Sequence, residues 1–83
     1  MRLNVTDKDS RPHQCDARYL LCPLPVLKAR RLLLSMPKGG VIEVLATDPK
    51  SEDEFKLFCA DEGYLFLGAR KNGDVYHITV LKE

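Results

Sequence analysis

From Gln14 to Leu20 the side chains alternate, with Cys15, Ala17 and Tyr19 set against Gln14, Asp16 and Arg18. A period of two predicts a half-buried strand with Cys15 facing the core. The next segment, "CPLPVLKARRLLLSM", changes period. Proline is well accepted in the first helical turn and pushes its predecessor toward extended geometry, so a helix starts at Pro23, with Cys22 as its N-cap, or at Pro25. At about 100° per residue Val26, Ala29, Leu32, Leu33, Leu34 and Met36 form a broad apolar arc, opposed by Lys28, Arg31 and Ser35. "MPKGG" ends the helix. Val41 to Ala46 is a short apolar run rich in β-branched residues and predicts a largely buried central strand. After "TDPK", Ser51 and Glu54 have capping-box spacing, Phe55, Phe58, Cys59 and Glu62 share one side, and Gly63 is placed to stop a second helix. Two alternating stretches, Tyr64 to Arg70 and Val75 to Leu81, flank "KNGD", a strong hairpin signal.

The order β-α-β-α-β-β predicts an α/β two-layer sandwich: a mixed four-stranded sheet with both helices on one face. Residues 1–12 are polar and aperiodic and are expected to form a flexible arm, leaving 13–83 as one domain. That suits 83 residues of which 45% are hydrophobic, enough for a single core.

Charge adds little. Thirteen basic and twelve acidic residues leave a formal net charge of +1, so no broad field attracts a polyanion or an anionic membrane. Direct nucleic-acid binding is not expected. No run approaches the roughly 18 apolar residues of a membrane span, and the first residues lack the apolar centre of a secretion signal. A cytoplasmic location is expected. The three cysteines are odd in number and widely spaced, without a CxxC pair or histidines at zinc spacing. Neither a disulfide scaffold nor a metal is expected, and no cofactor is implied.

Candidate chemistry therefore rests on free thiols, and Cys22 stands out. The thiolate is the nucleophile, and a free cysteine of pKa ~8.5 is only about 3% ionised near neutrality. A helix N-terminus supplies partial positive charge and unpaired N–H groups. Pro23 and Pro25 cannot donate, which leaves Leu24, Val26 and Leu27, and a moderate lowering of the Cys22 pKa is expected. The alternative is a cysteine that merely fills a strand-to-helix corner. His13 and His77 are the only histidines and both fall in strand patterns, so a Cys-His hydrolase has no support. Exchange of sulfur between thiols needs a nucleophile, a thiolate leaving group and a docking surface, but no triad.

The stretches "CDARYLLCPLPVLKARRLL", "ATDPKS" and "EFKLFC" together resemble the TusA/SirA family of small sulfur-carrier proteins. The likeness runs from about Gln14 to the C-terminus, and its most specific part is Cys22-Pro23-Leu24-Pro25, preceded by Asp16. The resemblance implies that Cys22 accepts sulfur as a persulfide from a cysteine desulfurase and passes it to an acceptor protein. In the best-known branch that relay leads to thiolation of a tRNA wobble uridine. Other branches serve sulfur oxidation, molybdenum cofactor synthesis or selenium metabolism. It also makes Asp16, Pro23 and Pro25 site-shaping, with Asp48, Arg18, Lys28 and Arg31 as candidates for docking or support. Asp48 in "TDPK" is equally a turn or cap residue by its type. Cys59 is expected to be buried.

The chain also departs from the family pattern. Tyr19 stands where glycine is common, which demands ordinary strand geometry of that position and puts a bulky ring near the thiol. Leu21 replaces a residue often basic or polar. Glu54 stands where relatives often have aspartate, and no role is carried onto it. Two other readings remain open: a protein or RNA interaction module, as in the similarly built C-terminal domain of translation initiation factor three, and a regulator that works through the redox state of Cys22.

Overall fold

The computed structural model describes residues 13–83, so the arm expected over 1–12 lies outside the described residues. Six elements follow one another: β1 (His13–Ala17), α1 (Leu24–Leu34), β2 (Val41–Ala46), α2 (Ser51–Glu62), β3 (Leu65–Asn72) and β4 (Val75–Leu81). The strands form one four-stranded sheet in the order β1-β2-β4-β3. β1 pairs parallel to β2, β2 antiparallel to β4, and β3 antiparallel to β4. Both helices lie on one face, giving the predicted two-layer sandwich.

Alternation explains which face is covered. Cys15 and Ala17 of β1, Ile42, Val44 and Ala46 of β2, and Ile78 and Val80 of β4 all point to the helices and are buried. Against them pack Ala29 and Leu33 of α1, Met36 just after it, and Phe55, Phe58 and Cys59 of α2. Phe55 and Phe58 meet edge to face with ring centroids 6.0 Å apart. The opposite face of the sheet is polar at its centre, where the Glu43 carboxylate accepts from Gln14 at 3.2 Å and lies 3.3 Å from His77 Nδ1.

Helix ends follow their local chemistry. Gly63 takes φ +82°, and its N–H and that of Tyr64 both return to the Cys59 carbonyl, closing α2. The last carbonyls of α1 are met locally, Leu32 O by the Ser35 N–H and Leu33 O by the Met36 N–H at 3.1 Å each, and Lys82 Nζ adds bonds to Leu33 O at 2.6 Å and to Met36 O, just past the helix, at 2.7 Å. At the start of α2 the expected capping box does not form. Ser51 is already the first helical residue, and its buried Oγ has no hydrogen-bond partner. Asp48 does the work one step earlier: Oδ1 accepts the Lys50 N–H at 3.0 Å and its carbonyl accepts the Ser51 N–H at 3.0 Å. The Asp-Pro turn leads the chain into the helix and moves its start one residue ahead of the serine-capped frame.

Three other expectations change. Leu34 is 58% exposed, since the apolar arc of α1 is wider than the sheet beneath it. The hairpin turn centres on Gly73 and Asp74, one residue beyond Asn-Gly, because Asn72 pairs with Val75 and Gly73 takes the positive φ. Most consequential, β1 ends at Ala17, and Tyr19 does not continue it. Tyr19 adopts φ +68°, its N–H donates to Thr47 Oγ1 at 2.9 Å, and its side chain is 83% exposed. The chain has to leave the sheet here to reach α1, and the Leu20 N–H closes the turn on the Ala17 carbonyl at 3.3 Å.

A left-handed backbone costs a non-glycine residue about 1–2 kcal/mol. Tyr19→Gly is therefore expected to stabilise the fold by about 1 kcal/mol, part of the relief being offset by glycine's greater freedom when unfolded. The midpoint of urea denaturation measures this, and a fall in midpoint would contradict it.

Candidate functional site

Cys22 is the exposed member of the three free cysteines, Cys15 and Cys59 being buried. It lies in the loop from β1 to α1, one residue before Pro23, which serves as N-cap of α1. The Cys22-Pro23 peptide is cis. Pro25 occupies the second helical position with its ring buried, which leaves the missing N–H without consequence. Both prolines thus shape the helix entrance, Pro23 at the rim and Pro25 against the core.

Two acidic residues from beyond β2 hold this loop. Asp48 Oδ2 accepts the Cys22 N–H at 2.8 Å, while its other oxygen caps Lys50. One carboxylate therefore joins the thiol loop to the entrance of α2. These two backbone donors hold the Asp48 carboxyl below the usual range. Asp48 is a turn former whose second oxygen also holds the backbone of Cys22.

Glu54, in the first turn of α2, accepts a hydrogen bond from the Cys22 thiol. Its spacing from Ser51 points to a capping box, and only the packing of α2 beside α1 brings it to the sulfur. This contact reverses the expected pKa shift. The Cys22 pKa lies above its ordinary value, first because the thiol donates to Glu54, then through desolvation and the negative charges of Glu54 and Asp48, with Lys50 opposing. The helix end contributes less than expected because two of its three donors are occupied. The Leu24 N–H bonds Leu21 O at 2.8 Å and the Leu27 N–H bonds Pro23 O at 3.2 Å. At neutral pH the resting group is a thiol with a carboxylate beside it.

The remaining candidates form a separate cluster. Arg18 Nε and Nη2 each bond a carboxylate oxygen of Asp16 at 2.9 Å, and this pairing holds the Asp16 carboxyl far below its ordinary value. Lys28 donates to the Asp16 carbonyl. Asp16 thus stiffens the exit of β1 and engages Arg18 and Lys28, while no hydrogen bond joins it to Cys22. Arg31 lines a groove with Leu20, Leu24, Leu27 and Lys28 and forms no ion pair among the described residues. Cys59 is a core residue whose thiol burial pushes up to about 11. No group of three His, Cys, Asp or Glu side chains among the described residues could hold a metal ion, and no helix there is long and apolar enough to cross a membrane.

An exposed thiol at a proline-defined helix entrance, with a carboxylate and no histidine beside it, defines a thiol-exchange protein on an α/β sandwich. The sequence model of the family described as "Sulfurtransferase TusA" matches residues 13–82. The sulfur carrier protein TusA of Allochromatium vinosum is 36% identical over 70 residues, covering 84% of this chain and 92% of that relative. The protein of the same name from Pseudomonas fluorescens is 39% identical over 68 residues, covering 82% of each. Among solved structures, a SirA-like protein from Desulfitobacterium hafniense superposes with a TM-score of 0.73 at 27% identity, covering 82% of this chain and 93% of that one. The chain belongs to the TusA/SirA family of sulfurtransferases.

The Cys22–Glu54 contact has a measurable consequence. With Glu54→Gln the negative charge is gone, so the Cys22 pKa is expected to fall and iodoacetamide to react faster with Cys22 at neutral pH. The pH profile of alkylation, followed by intact mass, reads this directly. A midpoint unmoved by the substitution would show that Glu54 does not govern the thiol.

Proposed function

We propose that Cys22 carries sulfane sulfur as a persulfide, taken from a cysteine desulfurase and delivered to a cysteine of an acceptor protein. The observation that carries this is the exposure of Cys22 beside a carboxylate and in the absence of any histidine partner. Family membership supports the same chemistry. In the transfer, Cys22 sulfur attacks the outer sulfur of the donor persulfide. A new S–S bond forms, the donor's S–S bond breaks, and the donor cysteine leaves as a thiolate. Glu54 accepts the Cys22 proton during attack, and the leaving thiolate regains a proton, so thiol and persulfide exchange places with no oxidant or reductant consumed. Asp48 holds the Cys22 N–H and with it the direction of approach. Delivery repeats the step with Cys22 as donor.

We place this relay in the cytoplasm, with thiolation of tRNA as one end point among the branches of the family, beside sulfur oxidation, molybdenum cofactor synthesis and selenium metabolism. The donor, acceptor and end point rest on the family likeness.

Incubation with a cysteine desulfurase and cysteine should add the mass of one sulfur to the intact protein. Peptide mapping should place it on Cys22, and Cys22→Ser should abolish it. Sulfur on Cys59 alone, or sulfenate without persulfide, would reject the assignment. RNA binding that survives Cys22→Ser, with no sulfur gained, would favour an interaction module instead.

A further inference from the structure

The two helices carry opposite charge. α1 contains Lys28, Arg30 and Arg31 and no acidic residue, whereas α2 contains five acidic residues and one lysine. Cys22 stands at the seam between them. A groove of about 300 Å³ runs along that seam, with an apolar lining from Pro23, Val26, Leu57 and Phe58. Leu57 is 67% exposed and so has no partner in the core to explain it. Glu54 and Asp61 line the groove as well. They are seven residues apart on α2, about 10 Å along the helix. Asp61 forms no ion pair among the described residues, while Glu62 is turned to Arg30 at 3.6 Å.

We propose that this groove is the docking site of a partner's cysteine-bearing segment, and that the segment is apolar with a lysine or arginine three or four residues from its cysteine. The spacing follows from the acids: with the partner cysteine at Cys22, an extended chain rising about 3.3 Å per residue brings its third or fourth neighbour level with Asp61. Charge complementarity selects a basic side chain there, and leucine-like neighbours cover Leu57 and Val26. The flank of α1 that bears Lys28 and Arg31 has the opposite sign and suits a different occupant. The groove is the closer fit to the chemistry because it contains Glu54, the thiol's own hydrogen-bond acceptor.

This proposal rests on Cys22 being the exchanging thiol. It is tested with three synthetic hexapeptides, each with one cysteine flanked by leucines and ending in two lysines, two glutamines or two glutamates, activated as 2-thiopyridyl disulfides. Cys22 attacks the peptide sulfur, the mixed disulfide forms, and 2-thiopyridone leaves and is followed by absorbance. The Cys22-dependent rate is the difference from Cys22→Ser. At low ionic strength the lysine peptide should react about tenfold faster than the glutamate peptide, with the glutamine peptide between them, and high salt should erase the difference. Asp61→Asn, on an exposed surface, should bring the lysine-to-glutamate ratio toward one. Leu57→Ser should slow all three peptides but not a glycine-flanked one.

Equal rates for the three peptides, a ratio unmoved by Asp61→Asn, or preference for the glutamate peptide would overturn the proposal, the last pointing to the Lys28 and Arg31 flank. The assay needs no sulfur donor. Persulfide loading can therefore fail while the charge preference holds, and the preference can fail while loading succeeds.

Discussion

One carboxylate organises the functional end of this molecule. Asp48 binds the Cys22 N–H with one oxygen and the Lys50 N–H with the other. Remove it and two things come loose together: the loop that carries the thiol and the entrance of the helix that carries Glu54. Because both carboxylate oxygens accept backbone donors, the negative charge is stabilised where it sits, and the carboxyl pKa lies below its ordinary value. Charge-assisted bonds of this kind are stronger than neutral ones, which suits a joint between two exposed loops. The position of Glu54 at the sulfur depends on this joint.

The electrostatics of the thiol then follow from geometry and not from the helix end. A helix N-terminus activates a cysteine when its N–H groups are free to face the sulfur. Here prolines remove two of the donors and neighbouring carbonyls occupy two others. What faces the sulfur is a carboxylate. Such a site keeps the resting sulfur protonated, and thus less open to oxidation, while placing a proton acceptor where attack needs one. A persulfide carrier has to hold its cargo between partners, and a thiol that stays quiet until docked fits that task.

The Tyr19 backbone shows the cost of the same loop. The chain leaves β1 at Ala17 and must turn within a few residues to bring Cys22 to Asp48. A left-handed residue at position 19 makes that turn, and its N–H finds Thr47, adjacent to Asp48. The strained tyrosine, the exposed ring and the anchored thiol are parts of one connection between the β1 exit and the β2 exit.

The order of elements, the buried faces of the strands and the position of Cys22 at a helix entrance were legible in the sequence, since alternation, helical period and proline-glycine punctuation are local properties of the chain. Cys15 and Ala17 facing the helices, Gly63 ending α2 and Cys59 in the core all follow from such patterns. Tyr19 broke the pattern because alternation does not say where a strand must stop to make a connection. Ser51 and Glu54 matched a capping box by spacing, yet the Asp-Pro turn had already supplied the cap. Asp16 as a site-shaping residue and Arg18 and Lys28 as docking candidates stand apart in the sequence, and only the structure shows that Asp16 binds both. Sequence by itself determined the sandwich and singled out Cys22 as the candidate thiol. Tertiary structure decided the direction of the thiol's pKa shift, because residues 22, 48 and 54 meet only when the loop after β1, the loop after β2 and the first turn of α2 are brought together, and a pKa is set by what lies within a few ångströms in space.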